Sequence, residues 1–131
     1  RRGDENVATP RELARLARTI AGGQGLSPER ARDLLALATL PAEGSPFRRG
    51  LPEGVRALAK PGSLEGVRAE VAWVDVPGRP YAAAIMTGYL AREADGEAAI
   101  SQLSAAFHST FDRLARSSEH GRVISERDAR K

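Results

Sequence analysis

The sequence contains no cysteine, which excludes disulfide bridges, thiolate metal sites and a cysteine nucleophile. Histidine is nearly as scarce, and His108 and His120 stand too far apart to form a local ligand pair. Aromatic residues make up 5% of the chain, too few to build stacking platforms for single-stranded nucleic acid. No apolar run approaches the roughly 18 residues that a membrane helix needs. Lysine is also rare: of the 20 basic residues only Lys60 and Lys131 are Lys, and the others are Arg. The arginines are spread through amphipathic segments instead of forming a stripe, so a net charge of +3 does not describe a nucleic-acid surface. Met86 is the only methionine and the chain opens Arg1-Arg2, so residue 1 is not expected to be the start of translation.

With 131 residues, 41% of them hydrophobic and 28% charged, the chain has the size and balance of one ordinary domain. Arg1 to Pro10 read as a polar entry loop. Thr9-Pro10-Arg11-Glu12 then supplies an N-cap, a proline at the first helical position and a Glu at N3, the signature of a capping box. Leu13, Leu16, Ala17 and Ile20 follow as an apolar stripe, and Gly22-Gly23 stops the helix, predicting a span of about 10–21. Ser27-Pro28 opens a second helix over about 28–40, with Ala31, Leu34, Leu35 and Ala38 on its stripe and Pro41 at its end. The short glycine-bearing link makes the two a helical hairpin. Residues 41–54 hold three Pro and three Gly and are expected to be loop.

From Val55 the period changes to two. A strand over 55–60 is expected to stop at Pro61-Gly62. A second, over 67–76, alternates so that Val67, Ala69, Val71 and Trp73 form its buried face. After the turn Pro77-Gly78-Arg79-Pro80, a third strand over 80–88 is apolar from Tyr81 to Met86 and should be covered on both sides. Short connections make these an antiparallel three-stranded meander. A last helix over 94–116 carries Ile100, Leu103, Phe107, Phe111 and Leu114 as a seam to lie across the sheet. Residues 117–131 read as a polar tail. The fold class is α/β of the α+β type: a helical hairpin, then the meander packed with a C-terminal helix.

Chemistry concentrates at one end of the first hairpin. Lys60-Pro61-Gly62-Ser63 closes one strand and Gly66-Val67-Arg68 opens the next, which places an ammonium and a guanidinium near a backbone that glycine leaves open. Such a place suits an anion, for example a substrate carboxylate. A free N–H at Ser63 could stabilise a developing oxyanion. Spacing alone allows a second description, a tight hairpin with two solvated cations.

The run from Asn6 to about Leu114 resembles the C-terminal part of the class A β-lactamase family of penicillin-recognising serine hydrolases. Asn6 to Ala14 resembles that family's Thr-Thr-Pro helix start, Leu26 to Leu40 its next helix, and Gly50-Leu51-Pro52-Glu53-Gly54-Val55 its Leu-Pro-x-Gly-Trp approach to the sheet. Lys60-Pro61-Gly62 stands where the family has Lys-Thr-Gly or Lys-Ser-Gly, Gly66-Val67-Arg68 matches a Gly-x-Arg, and Tyr81 to Thr87 matches the following core strand. The resemblance implies part of the β-lactamase/transpeptidase-like fold over residues 1–116. It implies acyl transfer to serine and hydrolysis of a β-lactam or related amide or ester, hence β-lactam breakdown and antibiotic resistance. It implies no cofactor and no metal, a small-molecule substrate as partner, no nucleic acid, and an extracytoplasmic location. Lys60 would assist proton transfer and carboxylate docking, Gly62 would keep the strand edge open, Ser63 would lend its N–H to the oxyanion hole, and Arg68 would steady the substrate carboxylate.

Two departures qualify the resemblance. Pro61 replaces the hydroxyl residue of the triplet and can donate neither O–H nor N–H. The sequence has no Ser-x-x-Lys and no Ser-Asp-Asn. The loop with the deacylating Glu is expected upstream of Arg1, and Asp4 and Glu5 do not replace it. The segment alone is therefore expected to be inactive and to need the N-terminal part of the domain. The alternative from another class is a non-catalytic module of the same fold that binds a cell-wall or protein partner.

Overall fold

The computed structural model describes residues 7–37 and 44–117. Helix α1 runs Pro10–Ala21 and opens on the expected capping box: Glu12 N–H donates to the Thr9 hydroxyl at 3.3 Å, and Thr9 N–H donates to the Glu12 carboxylate at 2.7 Å. Helix α2, Pro28–Leu37, starts where Arg30 N–H donates to the Ser27 hydroxyl at 3.3 Å. A short helix, α3, spans Pro46–Arg49. Strands β1 (Ala57–Leu64), β2 (Val67–Val74) and β3 (Tyr81–Thr87) form one antiparallel sheet in the order β1-β2-β3, and α4 (Glu93–Ala115) follows. Ala38, the expected helix end near 40, Pro41, and the tail beyond Ser117 lie outside the described residues.

The sheet is covered on both faces. On one, Ala57, Ala72, Val74, Ala83 and Ile85 meet Phe47 of α3 and Ile100 of α4 in the buried core. On the other, Leu58, Val71 and Trp73 face Ala17 and Ile20 of α1 and Leu34 of α2 across a cavity of about 370 Å³. The Tyr81 ring, on the α4 side, stacks on Phe111 with centroids 4.3 Å apart, and burial pushes its hydroxyl up to about 12.

Five expectations change. Residues 46–49 are helix, not loop, because Ser45 caps them: Arg48 N–H donates to its hydroxyl at 3.1 Å, with Pro46 in the first turn. Strand β1 begins at Ala57 and does not stop at Pro61-Gly62 but runs on to Leu64. The more buried face of β2 is Glu70, Ala72 and Val74, not the face of Val71 and Trp73. The buried seam of α4 runs through Gly96, Ile100 and Ser104, and Leu103 and Leu114 are exposed. Ser104 is accepted there because its hydroxyl donates to the Phe47 carbonyl at 2.7 Å. Gly50 lets α3 approach the backbone of α4 at Ser101 more closely than any side chain would permit. Leu16, placed on the α1 stripe, is 54% exposed.

Candidate functional site

The hydrogen-bond parity of β1 decides what its open edge can do. Asp75 N–H donates to the Arg56 carbonyl at 2.9 Å, just before the first register pair, Ala57 with Val74. Antiparallel ladders alternate hydrogen-bonded and non-hydrogen-bonded pairs. Stepping along the register, Leu58, Lys60, Gly62 and Leu64 direct their backbone groups at β2. Ala59, Pro61 and Ser63 turn theirs to the outer edge, which no strand among the described residues covers. Pro61 therefore forfeits no ladder bond, and this is why the strand passes through it. Ser63 N–H points outward from an exposed position on the same edge. Gly62, between them, has open space where a Cβ would stand, its nearest neighbour there being the Ala69 carbonyl at 3.9 Å.

Side chains on β1 alternate between faces, and the candidate residues divide accordingly. Lys60 lies opposite Val71 and lines the large apolar cavity on the α1 side. Its Nζ donates to the Pro61 carbonyl at 2.6 Å, and no carboxylate among the described residues forms an ion pair with it. Ser63 lies opposite Arg68 on the other face. There Pro61, Gly62, Ser63 and Arg68 line a second cavity of about 250 Å³ with Glu97 and Ile100 of α4. The fold thus brings Gly62, Ser63 and Arg68 together and sets Lys60 across the strand edge from them.

Arg68 is already engaged. Its Nη1 donates to the carbonyls of Leu64 and Val67, at 3.0 and 2.8 Å. Its Nη2 bonds the Glu93 carboxylate, and its Nε lies 3.7 Å from Glu97. Glu97 also pairs with Arg49 at 2.9 Å. The side chain of Arg68 is only 14% exposed. Helix α4 reaches this close because residue 96 is glycine: a Cβ there would come within 2.9 Å of Thr87 Oγ1 and 3.1 Å of Arg68 Cβ.

Beneath the cavity, Glu70 sits opposite Pro61 in the register and is 2% exposed. The Ser45 hydroxyl and Phe47 N–H (2.8 Å) both donate to its carboxylate, which ties α3 to the sheet. Burial raises its pKa above the ordinary carboxylate value, outweighing the opposite pull of those two donors. Glu70, Glu93, Glu97 and Arg49 were not among the residues that sequence reasoning selected. A signal existed for two features: Glu70 interrupts an apolar strand, and Ser45-Pro46 repeats the cap-proline pattern of Thr9-Pro10 and Ser27-Pro28. For Glu93 and Glu97, four residues apart at the start of a helix, nothing in the sequence names Arg68 as their partner.

No helix of the described residues is long and apolar enough to cross a membrane. No curated protein matches the chain. Among solved structures it is similar to PBP-A, with 30% identity and a TM-score of 0.72 over 82% of this chain and 41% of that one. It is similar to the β-lactamase from Sphaerobacter thermophilus, with 31% identity and a TM-score of 0.71, covering 82% and 42%. The class A β-lactamase of the last common ancestor of Gram-negative bacteria matches at 27% identity and a TM-score of 0.71, covering 85% and 44%. One solved form of a PBP-A variant is an acyl-enzyme complex with penicillin G. The chain spans less than half the length of each of these proteins, 41%, 42% and 44% in turn. Its three antiparallel strands with flanking helices correspond to part of the class A β-lactamase fold. Residues 1–111 match the model of the beta-lactamase enzyme family, and to that family the chain belongs.

Proposed function

We propose that this chain contributes one wall of the acyl-transfer site of a β-lactamase-type serine hydrolase, the nucleophile and its bases coming from residues outside these 131. The observation that carries the reading is the β1 edge: an outward N–H at Ser63, beside an open Gly62 and a lysine without a carboxylate partner among the described residues. The resemblance to the family suggests the roles, and the position of each group supports them. Ser63 N–H donates to the substrate carbonyl oxygen as a serine attacks and charge gathers on that oxygen, and such a donor is worth more in the tetrahedral state than in the ground state. Lys60 supplies positive charge on the far side of the edge, where it favours loss of a proton from a neighbouring hydroxyl and its delivery to the leaving group. Gly62 keeps the strand clear so that the substrate backbone can lie along it. Breakdown of a β-lactam, and with it resistance, would be the consequence if the acyl group is then released to water. The half-buried apolar surface of Leu58, Val71 and Trp73 next to Lys60 is the natural seat for the rest of the domain.

Intact-mass spectrometry tests the reading. The protein expressed from its complete gene, incubated with benzylpenicillin, should gain the mass of one penicillin on a serine, and the 131-residue chain alone should gain none. An adduct on the isolated chain would show that the nucleophile lies within it. No adduct on the complete protein, together with tight binding of a cell-wall peptide, would favour a non-catalytic binding module.

A further inference from the structure

Arg68 is held in ion pairs and hydrogen bonds on every side of its guanidinium. A carboxylate is recognised by arginine through two parallel N–H donors of one guanidinium. In this chain Nη1 serves two carbonyls, Nη2 serves Glu93, and Nε faces Glu97, so no edge of the guanidinium is left as a free fork. Arg49 and Arg68 together balance Glu93 and Glu97, so these four side chains carry no net charge. Pro61, the next residue on the cavity wall, has no donor of its own, and the neighbouring Gly62 directs its N–H at β2. Lys60 is turned to the opposite face. A free carboxylate entering the 250 Å³ cavity would therefore meet Glu97 on its wall and, among the described residues, no free donor fork, and would have to displace Glu93 or Glu97 from Arg68 to bind.

We propose that Glu93 and Glu97 are specificity-determining residues that hold Arg68 away from substrate and suit the site to an amide or ester without a free carboxylate beside the bond to be cleaved. This rests on the acyl-transfer reading above and adds to it the class of substrate.

The test compares benzylpenicillin with its methyl ester in the protein expressed from its complete gene, as wild type, as Glu93→Gln/Glu97→Gln and as Glu93→Gln/Glu97→Gln/Arg68→Ala. The readout is the ratio of acylation kcat/KM for the free carboxylate to that for the ester, which does not depend on how much of each variant folds. The wild type should give a ratio at or below one. The double Gln variant should raise it about tenfold or more, the value of one recovered hydrogen bond to a charged group, and the added Arg68→Ala should cancel the gain. A wild-type preference of tenfold for the free carboxylate, or a ratio that the double substitution leaves unchanged, would overturn the proposal. If neither compound acylates the protein, the acyl-transfer reading fails separately. The same ratio is then read from calorimetric binding of the two compounds, and absence of binding by both overturns this proposal as well.

Discussion

Where α3 and α4 cover the sheet, Phe47, Ala72, Val74 and Ile100 are at most 1% exposed, and three polar side chains, Ser45, Glu70 and Ser104, are buried with them. Where α1 and α2 cover it, no residue of α1 is buried, and a cavity of about 370 Å³ remains between helices and strands. The polar groups are found on the tighter face because each has its partner there: Ser45 and Phe47 donate to Glu70, and Ser104 donates to Phe47. A buried polar group so satisfied costs little, and it fixes how α3 and α4 dock. The looser face bears Lys60, which forms no ion pair among the described residues, beside half-buried apolar surface. In the proposed reading the looser face adds Lys60 to the wall of the site, while the tighter face is scaffold that also carries Ser63 and Arg68 at its edge.

Four substitutions in the complete protein would sharpen or break this contrast. The largest effect belongs to the wall. Lys60→Ala should lower kcat/KM by about 10²–10⁴-fold, the usual worth of positioned proton-transfer assistance, whereas Arg68→Ala should cost less than Lys60→Ala because its charge is already neutralised. Steady-state kinetics decides, and equal small losses would remove Lys60 from the site. On the scaffold face, Glu70→Ala should destabilise by about 3 kcal/mol, since it leaves Phe47 N–H and the Ser45 hydroxyl buried without an acceptor. Urea unfolding measures it, with Ile20→Ala on the looser face as the comparison, expected to cost about half as much or less.

Glu70 also gives the scaffold a pH dependence whose sign is defined. Its pKa is raised in the folded state, so the folded protein holds this proton more tightly than the unfolded chain does. The contribution is present in full below the ordinary value of 4.5 and fades as pH rises through the folded-state pKa. Denaturation midpoints across that window should slope downward with pH in the wild type and flatten in Glu70→Gln, and an identical slope in both would assign it to other groups. Among the effects on substrate, the smallest is expected from Pro61→Thr. A hydroxyl there could return one hydrogen bond to a carboxylate-bearing β-lactam, about tenfold in kcat/KM, less if Glu93 and Glu97 still repel it. Kinetics on a penicillin and a neutral ester, unchanged for both, would show that residue 61 does not touch substrate.

Helix starts were legible because capping is local. Thr9 and Ser27 each precede a proline, and each hydroxyl accepts an N–H from the first turn of its own helix; Ser45-Pro46 carries the same pattern, yet it lies in a Pro- and Gly-rich stretch expected to be loop. The meander was legible for a similar reason, since short apolar runs separated by Pro61-Gly62 and Pro77-Gly78 leave few alternatives, although the first turn lies at Glu65-Gly66. The residue set Lys60, Gly62, Ser63 and Arg68 came from a sequence resemblance, and the local sequence contains no record of which face each occupies. Pro61 looked like a stop because proline usually ends pairing. Only the register, counted from the Arg56–Asp75 bond, shows that its missing N–H belongs to the outer edge. The polar interior and the clamp on Arg68 likewise depend on groups 23 to 57 residues apart meeting in space. Sequence by itself determined α1, α2, α4 and the three strands in their order, since these rest on neighbours along the chain, but neither α3 nor the run of β1 past Pro61. Tertiary structure alone decided which face of β2 is buried, which way each donor points and whether a cation is free, because those depend on what α3 and α4 bring against the sheet.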